Sequence, residues 1–466
     1  MKIQLVIASD RRERGNLSAS RSSRREKIVA SLLAMTFLNF MLALKNQRRQ
    51  NRAFVFLILL LFSFTALSCS SKKTEPYLSP LSSTPDWSQL QAFQNTLTRE
   101  EFLHLIQDVY TQGDIYKKYI ALEADRALIQ KYKSNSQEQF VLHFAKGPAS
   151  RSESGKTQSP RPAPNNPEKP LSGFKIAIDP GHIGGAYAKD EERWFKLGNY
   201  PPVAEGEITL TVSQILQKKL ELLGAQVFLV RNKLEPLSPL RPETLRELAK
   251  ASLRNRNSNE TKEYSEGEIN DESKTLAYRV AEIRERARLI NDFKPDLTLV
   301  VHFNAENWGD PDQPTMSKED HLHLIVHGSY TPKELEYDDI RFEMLKKLLS
   351  GSHDSEMEIS KLVVESLKNA TGLPPCIYPP GFNAKAMNNN GYLWARNLLA
   401  NRLYQGPVIY LEPYVMNNSE VYQRLVNGDY EGKRWVAGQW QKSIFREYAD
   451  GVIDGLLAYQ KVTKLN

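Results

Sequence analysis

The chain has 466 residues, 41% of them hydrophobic, which is enough for a sizeable core and, by length, for two or three folding units. Its formal charge of +7 is confined to the start: residues 1–52 hold 12 Lys+Arg against 3 Asp+Glu, and the remainder holds 50 against 52. A basic arm ahead of a near-neutral body excludes a nucleic-acid-binding face, and two cysteines, Cys69 and Cys376, exclude a disulfide framework.

Residues 1–69 read as an export and membrane-targeting arm. The apolar run Ala53–Leu67 follows the basic stretch KNQRRQNR and precedes small residues, the order of a secretory signal and short for a spanning helix. Cys69 stands where a bacterial lipoprotein signal places its acylated cysteine, although Ala66 replaces the usual Leu three residues earlier. A second apolar run, Ile28–Leu44, is either a first membrane span or a sign that translation starts at Met35 or Met41. Residues 70–85 form a polar tether. Residues 86–147 read as a small helical region, from the capping start and apolar stripe of TREEFLHLIQDVYTQ and the similar DIYKKYIALEADRALIQKY. This region reads as a docking or spacing unit; its apolar stripe at residues 102–110 is read as packing, with a face for a protein regulator as the lesser alternative. Residues 148–172, rich in Pro and Ser, read as a disordered linker.

From residue 173 to 466 strands and helices alternate. FKIAIDP, QVFLVR, DLTLVVHFN, HLHLIVHG and PVIYLEP are apolar strand-like runs. Helices are expected at 206–223, 277–293, 355–371 and from about 433 to the end. The alternation predicts an α/β fold, a mostly parallel twisted sheet with helices on both faces. Two charged stretches, about 233–275 and 329–353, read as insertions, one of which is expected to cap or gate a cleft.

Three of the strands end in ionisable residues. IAIDPGH ends in His182, TLVVHFNA carries His302, and VIYLEP ends in Glu412. In a parallel sheet the carboxyl ends share one rim, where ligands bind. Glu205 stands ahead of the helix that follows the first strand and returns over the same rim. Two imidazoles and a carboxylate are the donor set of a catalytic zinc site, which leaves a position open for water. A further, non-ligating carboxylate is then needed to move the proton. His182, Glu205, His302 and Glu412 fill these roles. His321, His323 and His327 share one strand face and admit a second metal site, but a polar strand face is the favoured reading. Arg286 and Asn291 read as orienting residues, Trp194 and Phe195 as cleft-lining, Tyr392, Trp394, Tyr410 and Tyr414 as core or wall, and Cys376 as inert.

Asp179-Pro180-Gly181-His182, Glu205 at a helix start, Arg286, Asn291, Asp296 with VVHFNA, and VIYLEPYVMNNSEVYQRL, in that order over residues 174–459, resemble the zinc-dependent N-acetylmuramoyl-L-alanine amidases of the amidase-3 type. The resemblance implies Zn2+ on His182, Glu205 and His302, with Glu412 as catalytic base. Glu207 is the neighbour most easily confused with Glu205. It further implies action on peptidoglycan by cutting between the lactyl group of N-acetylmuramic acid and L-alanine; together with the signal residues of the arm, the expectation is an envelope enzyme, periplasmic and lipid-anchored at Cys69. Ile183 intrudes before Gly184-Gly185, VVHFN replaces the usual SIHAN, and Pro413-Tyr414 follow the base. The alternatives are a catalytically silent peptidoglycan-binding envelope protein and a zinc peptidase cutting within the stem peptide.

Overall fold

The computed structural model describes residues 75–147, 166–257 and 263–463. The export arm of residues 1–69, the start of the tether and most of the 148–172 linker lie outside the described residues. No helix among the described residues is long and apolar enough to cross a membrane.

The first region begins with a 3-10 turn at Trp87–Phe93 and helix α1, Arg99–His104, closed by a capping box between Thr98 and Glu101. The helical expectation holds to Lys118 and is corrected beyond it. Ile120–Leu122 (β1), Arg126–Tyr132 (β2) and Asn135–His143 (β3) form an antiparallel sheet in the order β1-β2-β3. The reason is packing at period two: Ala127 and Ile129, then Phe140 and Leu142, are buried on one face, while Leu128 and Val141 between them point to the other and are only half-buried.

The main sheet has seven strands: Lys175–Pro180 (β4), Gln226–Leu229 (β7), Leu297–Val301 (β8), Leu322–His327 (β9), Lys385–Ala386 (β10), Leu393–Arg396 (β11) and Val408–Pro413 (β12). A short hairpin, Trp194–Phe195 (β5) with Val203–Ala204 (β6), lies between β4 and the next helix. The strand order is β10-β11-β9-β12-β8-β4-β7. β7, β4, β8 and β12 are parallel neighbours, whereas β9 runs antiparallel to β12. Every residue of β8 and β9 is buried, as expected of strands covered on both faces.

Helix α2 (Glu205–Leu222) precedes α3 (Arg246–Asn257), α4 (Glu266–Thr275) and α5 (Glu282–Phe293). Then come α6 (Asp338–Ser350), α7 (Ser352–Thr371), α8 (Leu399–Leu403), α9 (Ser419–Val426) and α10 (Ile444–Thr463). Residues from α2, α7 and α10 share one core with the inner face of β4, β8, β9 and β12. Ala287 and Ile290 of α5 and Ala400 of α8 pack against the other face. The tail expected to be helical from about 433 first forms a hairpin, Arg434–Val436 (β13) with Gln439–Gln441 (β14).

Both insertions are helical and not loops. Leu245, Ala249 and Ile269 of the 233–275 stretch share one cluster with the fully buried Ile183, so the residue that interrupts the usual glycine turn is the seat of that insertion. Few apolar anchors are needed for so small a seam, which is why no clear period shows in the sequence. The 329–353 stretch packs Phe342, Met344, Leu345, Leu348 and Leu349 of α6 into one cluster with Phe102, Ile106, Tyr110, Ile129 and Leu142. It joins the first region to the sheet. The 75–85 segment is held there too: the Asp338 carboxylate accepts the N–H groups of Tyr77 and Lys133 at 2.8 Å, and Asp339 accepts that of Ser79 at 2.8 Å.

Candidate metal centre

His182 follows directly on β4, in the left-handed backbone region at φ 58°. A non-glycine residue is held there only when its surroundings over-determine it. Here the His182 carbonyl accepts N–H groups from Arg286 at 2.9 Å and Arg231 at 2.8 Å. Arg286 also donates to Asp179 at 2.9 Å, to the Pro180 carbonyl at 2.7 Å and to Glu282 at 2.9 Å. The turn after β4 is thus clamped by a buried guanidinium. Asn291 acts as a brace, donating to the Leu403 carbonyl at 3.0 Å and accepting from Gln405 N–H at 2.8 Å.

Glu205 is the first residue of α2 and is 1% exposed. Its Oε1 lies 2.8 Å from His302 Nδ1 and its Oε2 lies 3.3 Å from His182 Nε2. Burial pushes this carboxyl up, but the two imidazoles and Arg193 outweigh it and hold it at about 2. Burial lowers His182, while Glu205 and Glu412 overcome burial to raise His302. One donor atom each of His182, Glu205 and His302 lies within 4.8 Å of the other two, a spacing that a single metal ion can span. Glu207, by contrast, is exposed and accepts Gly185 N–H at 3.3 Å.

The approach of β4, α2 and β8 depends on glycine. A Cβ on Gly181 would lie 2.5 Å from the His302 ring, and one on Gly206 would lie 2.3 Å from Gly184 N. His302 has little room to yield, being stacked on Tyr410 at 5.3 Å and bonded to Glu205. Gly181→Ala is therefore expected to leave the fold intact but to weaken metal affinity by about tenfold or more, the scale seen when a ligand is misoriented. Metal titration by calorimetry beside a circular dichroism spectrum checks this.

Glu412, at the end of β12, lines the same cavity of about 470 Å³ as His182, Glu205 and His302. Its surroundings strip it of water, and this desolvation raises its carboxyl to about 7. The cavity also presents Arg193, Arg279, Arg396, Tyr278 and Trp308. Tyr278 and Arg279 sit in a π-turn, Leu276–Ala281, that interrupts the α4–α5 helix. Trp194 and Phe195 do not line the cavity. Phe195 is fully buried against Trp308, with ring centroids 5.2 Å apart. Tyr392, Trp394, Tyr410 and Tyr414 are buried, and Tyr410 is also cavity wall.

One residue of the centre was not anticipated from sequence. Glu191 is 2% exposed, with Oε1 3.4 Å from His182 Nδ1 and Oε2 accepting the N–H groups of Ile183 at 2.8 Å and Gly184 at 3.2 Å. Such an outer carboxylate fixes the ring and tautomer of a ligating histidine. Its only sequence signal is the acidic run Asp190–Glu192 in KDEER, indistinguishable from a solvated turn. The three histidines of the β9 segment separate: His327 bonds Tyr330 Oη at 2.7 Å, away from His321 and His323.

A parallel sheet with a three-donor cluster and a separate carboxylate at its carboxyl rim is the arrangement of a hydrolytic enzyme. A family model described as N-acetylmuramoyl-L-alanine amidase, Amidase_3, matches residues 176–444. The chain belongs to that family and is a peptidoglycan amidase. It is similar to the solved amidase Ami1 of Mycobacterium smegmatis, at 16% identity over 63% of this chain and 99% of that one, with a TM-score of 0.35. It is also similar to the CwlD amidase of Clostridioides difficile, solved in complex with the GerS lipoprotein, at 14% identity over 62% and 99% with a TM-score of 0.35. The amidase AmiC2 of Nostoc punctiforme gives 13% identity over 63% and 99%, with a TM-score of 0.31. No curated protein matches the chain.

Proposed function

We propose that the chain is a zinc-dependent amidase that separates the lactyl group of N-acetylmuramic acid from L-alanine of the stem peptide, with His182, Glu205 and His302 as zinc ligands and Glu412 as general base. The observation that carries this reading is the convergence of two imidazoles and a buried, ionised carboxylate beside a second carboxylate of opposite tendency, Glu205 at about 2 and Glu412 at about 7. A carboxylate held ionised can bind a cation, and one raised toward neutrality can exchange a proton, so the two environments divide ligand from base. The donor set fits zinc: two nitrogens and one oxygen, with Glu191 placed to hold the far nitrogen of His182. Zinc bound there supplies Lewis acidity, polarising the scissile carbonyl and lowering the pKa of an attacking water toward about 7.

The remaining work falls to side chains. Glu412 takes a proton from the attacking water and delivers it to the alanine nitrogen as the C–N bond breaks. Arg193, Arg279 and Arg396 give the cavity a cationic rim suited to the carboxylates of a stem peptide. Residues 1–69 carry the enzyme to the cell envelope, with lipid attachment at Cys69 holding it on the periplasmic side.

Digestion of purified sacculi, followed by mass spectrometry, tests the reading. Intact stem peptides and bare glycan are expected, with release abolished by a chelator and restored by zinc. Shortened stem peptides would identify a peptidase instead, and no release from the zinc-loaded protein would identify a silent binder.

The pH profile offers a second check. A general base works deprotonated, so kcat/KM falls as pH drops through the Glu412 pKa. That value is about 7 without metal, and a bound cation favours the charged carboxylate. The acid limb is therefore expected below pH ~7 and above the ordinary glutamate value of ~4.3. A profile flat across that interval removes Glu412 from the role.

A further inference from the structure

His321 and His323 lie two residues apart at the head of β9, so both side chains project from one face. Because β9 runs antiparallel to β12, its head reaches the rim where β12 ends, and His323 stands opposite Glu412 in the register. The segment Pro374–Cys376 is laid along this head: Leu322 N–H donates to the Pro374 carbonyl at 2.9 Å, and Cys376 N–H donates to the Leu322 carbonyl at 3.2 Å. Cys376 is thereby fixed beside the two imidazoles. One ring nitrogen of each histidine and the Cys376 sulfur all lie within 4.8 Å of one another.

The three side chains are buried, at 8%, 1% and 7% exposure for His321, His323 and Cys376. His323 Nε2 is 2.8 Å from the Tyr378 hydroxyl, which leaves Nδ1 buried and without a hydrogen-bond partner. An orphaned buried nitrogen costs about 1–3 kcal/mol and calls for a reason. His321 Nε2 is 3.2 Å from the Glu306 carboxylate, and its Nδ1 is 3.3 Å from Asn304 Nδ2. Metal-binding histidines characteristically hand one ring N–H to a carboxylate, a carbonyl or water and offer the other nitrogen to the ion. Glu306 stands in such a position for His321, whose Nδ1 would exchange its long contact with Asn304 for the ion, and the Tyr378 hydroxyl serves the same purpose for His323. The group shares no residue with the His182–Glu205–His302 cluster, and none of its three members lines the 470 Å³ cavity.

We propose that His321, His323 and Cys376 form a second metal site that takes a divalent ion of the zinc type. Two imidazoles and a thiolate suit such an ion and disfavour magnesium or calcium, which take oxygen ligands. On binding, the Cys376 S–H bond breaks, an Sγ–metal bond forms and the proton passes to solvent; nothing is oxidised or reduced. The site stands one strand away from the amidase centre and is independent of the zinc reading given above.

Cobalt(II) discriminates the two sites, because only a thiolate ligand produces sulfur-to-cobalt charge-transfer absorption in the near ultraviolet. The probe is cobalt(II) added to the full chain carrying Cys69→Ser, in which Cys376 is the sole thiol. Two equivalents and the charge-transfer band are expected. Cys376→Ser should keep one equivalent and lose the band, whereas His182→Ala should keep the band. His323→Gln, which retains the thiol, should weaken the affinity of the band-producing site about tenfold or more, and it keeps the test open if Cys376→Ser does not fold. No band in the folded Cys69→Ser protein, or a band that survives Cys376→Ser, overturns the proposal. Loss of the band-free equivalent alone overturns the first site and leaves the second standing.

Discussion

Glu412→Gln is expected to lower kcat by about 100- to 10,000-fold, the range assigned to a positioned general base, with KM, zinc content and melting temperature nearly unchanged. Glutamine keeps the shape of glutamate and removes only its capacity to take a proton. Glu412 closes β12, next to Leu411, whose register with Val301 ties β12 to the strand that bears His302. The position is therefore rigid, and the substitution does not disturb the ligands. Glu205→Gln provides the contrast: its carboxylate touches both imidazoles, so metal content should fall together with rate. Sacculus hydrolysis measured beside zinc stoichiometry separates the two variants. Activity of Glu412→Gln within a few-fold of the parent would reassign the base.

Arg286→Met is expected to cost about 3–5 kcal/mol of folding stability, the scale for removing one partner of a buried ion pair. Arg286 is 3% exposed and faces Asp179 and Glu282 at 2.9 Å each. Removing it strands two carboxylates, although Tyr404 still donates to Asp179 and the N–H groups of Leu237 and Ser238 still reach Glu282. It also releases the Pro180 carbonyl and leaves the His182 carbonyl to Arg231 alone, so the left-handed turn loses most of its clamp. Arg286→Lys keeps the charge but not the planar fork and should recover only part of the loss. Chemical denaturation midpoints at constant m-value measure both, and a Met variant within about 1 kcal/mol of the parent would show that the network is dispensable.

The centre was legible where physics writes it into local sequence. β4, β8 and β12 are apolar runs because they are covered on both faces, and each stops at an ionisable residue because the rim is where burial ends. Glu205 was distinguished from Glu207 only through the family resemblance, since a carboxylate at a helix start is favoured by the dipole in any case. The direction of β9 was not legible, because hydrophobic pattern does not encode strand polarity, and with it went the placement of His321 and His323. Glu191 was hidden for a different reason: its burial is produced by the turn it bonds, not by its neighbours in sequence. β2 reads as helix because RALIQKY satisfies both periods over so short a span.

The shared cluster of α6 with residues 102–142 has a practical outcome. A protease cutting anywhere between residues 148 and 165 would leave two pieces that travel as one particle through a sizing column, parting only in denaturant. A shortened enzyme begun at Gly173 would lay bare the greasy side of α6, and it is this truncated form, rather than the nicked one, that should precipitate.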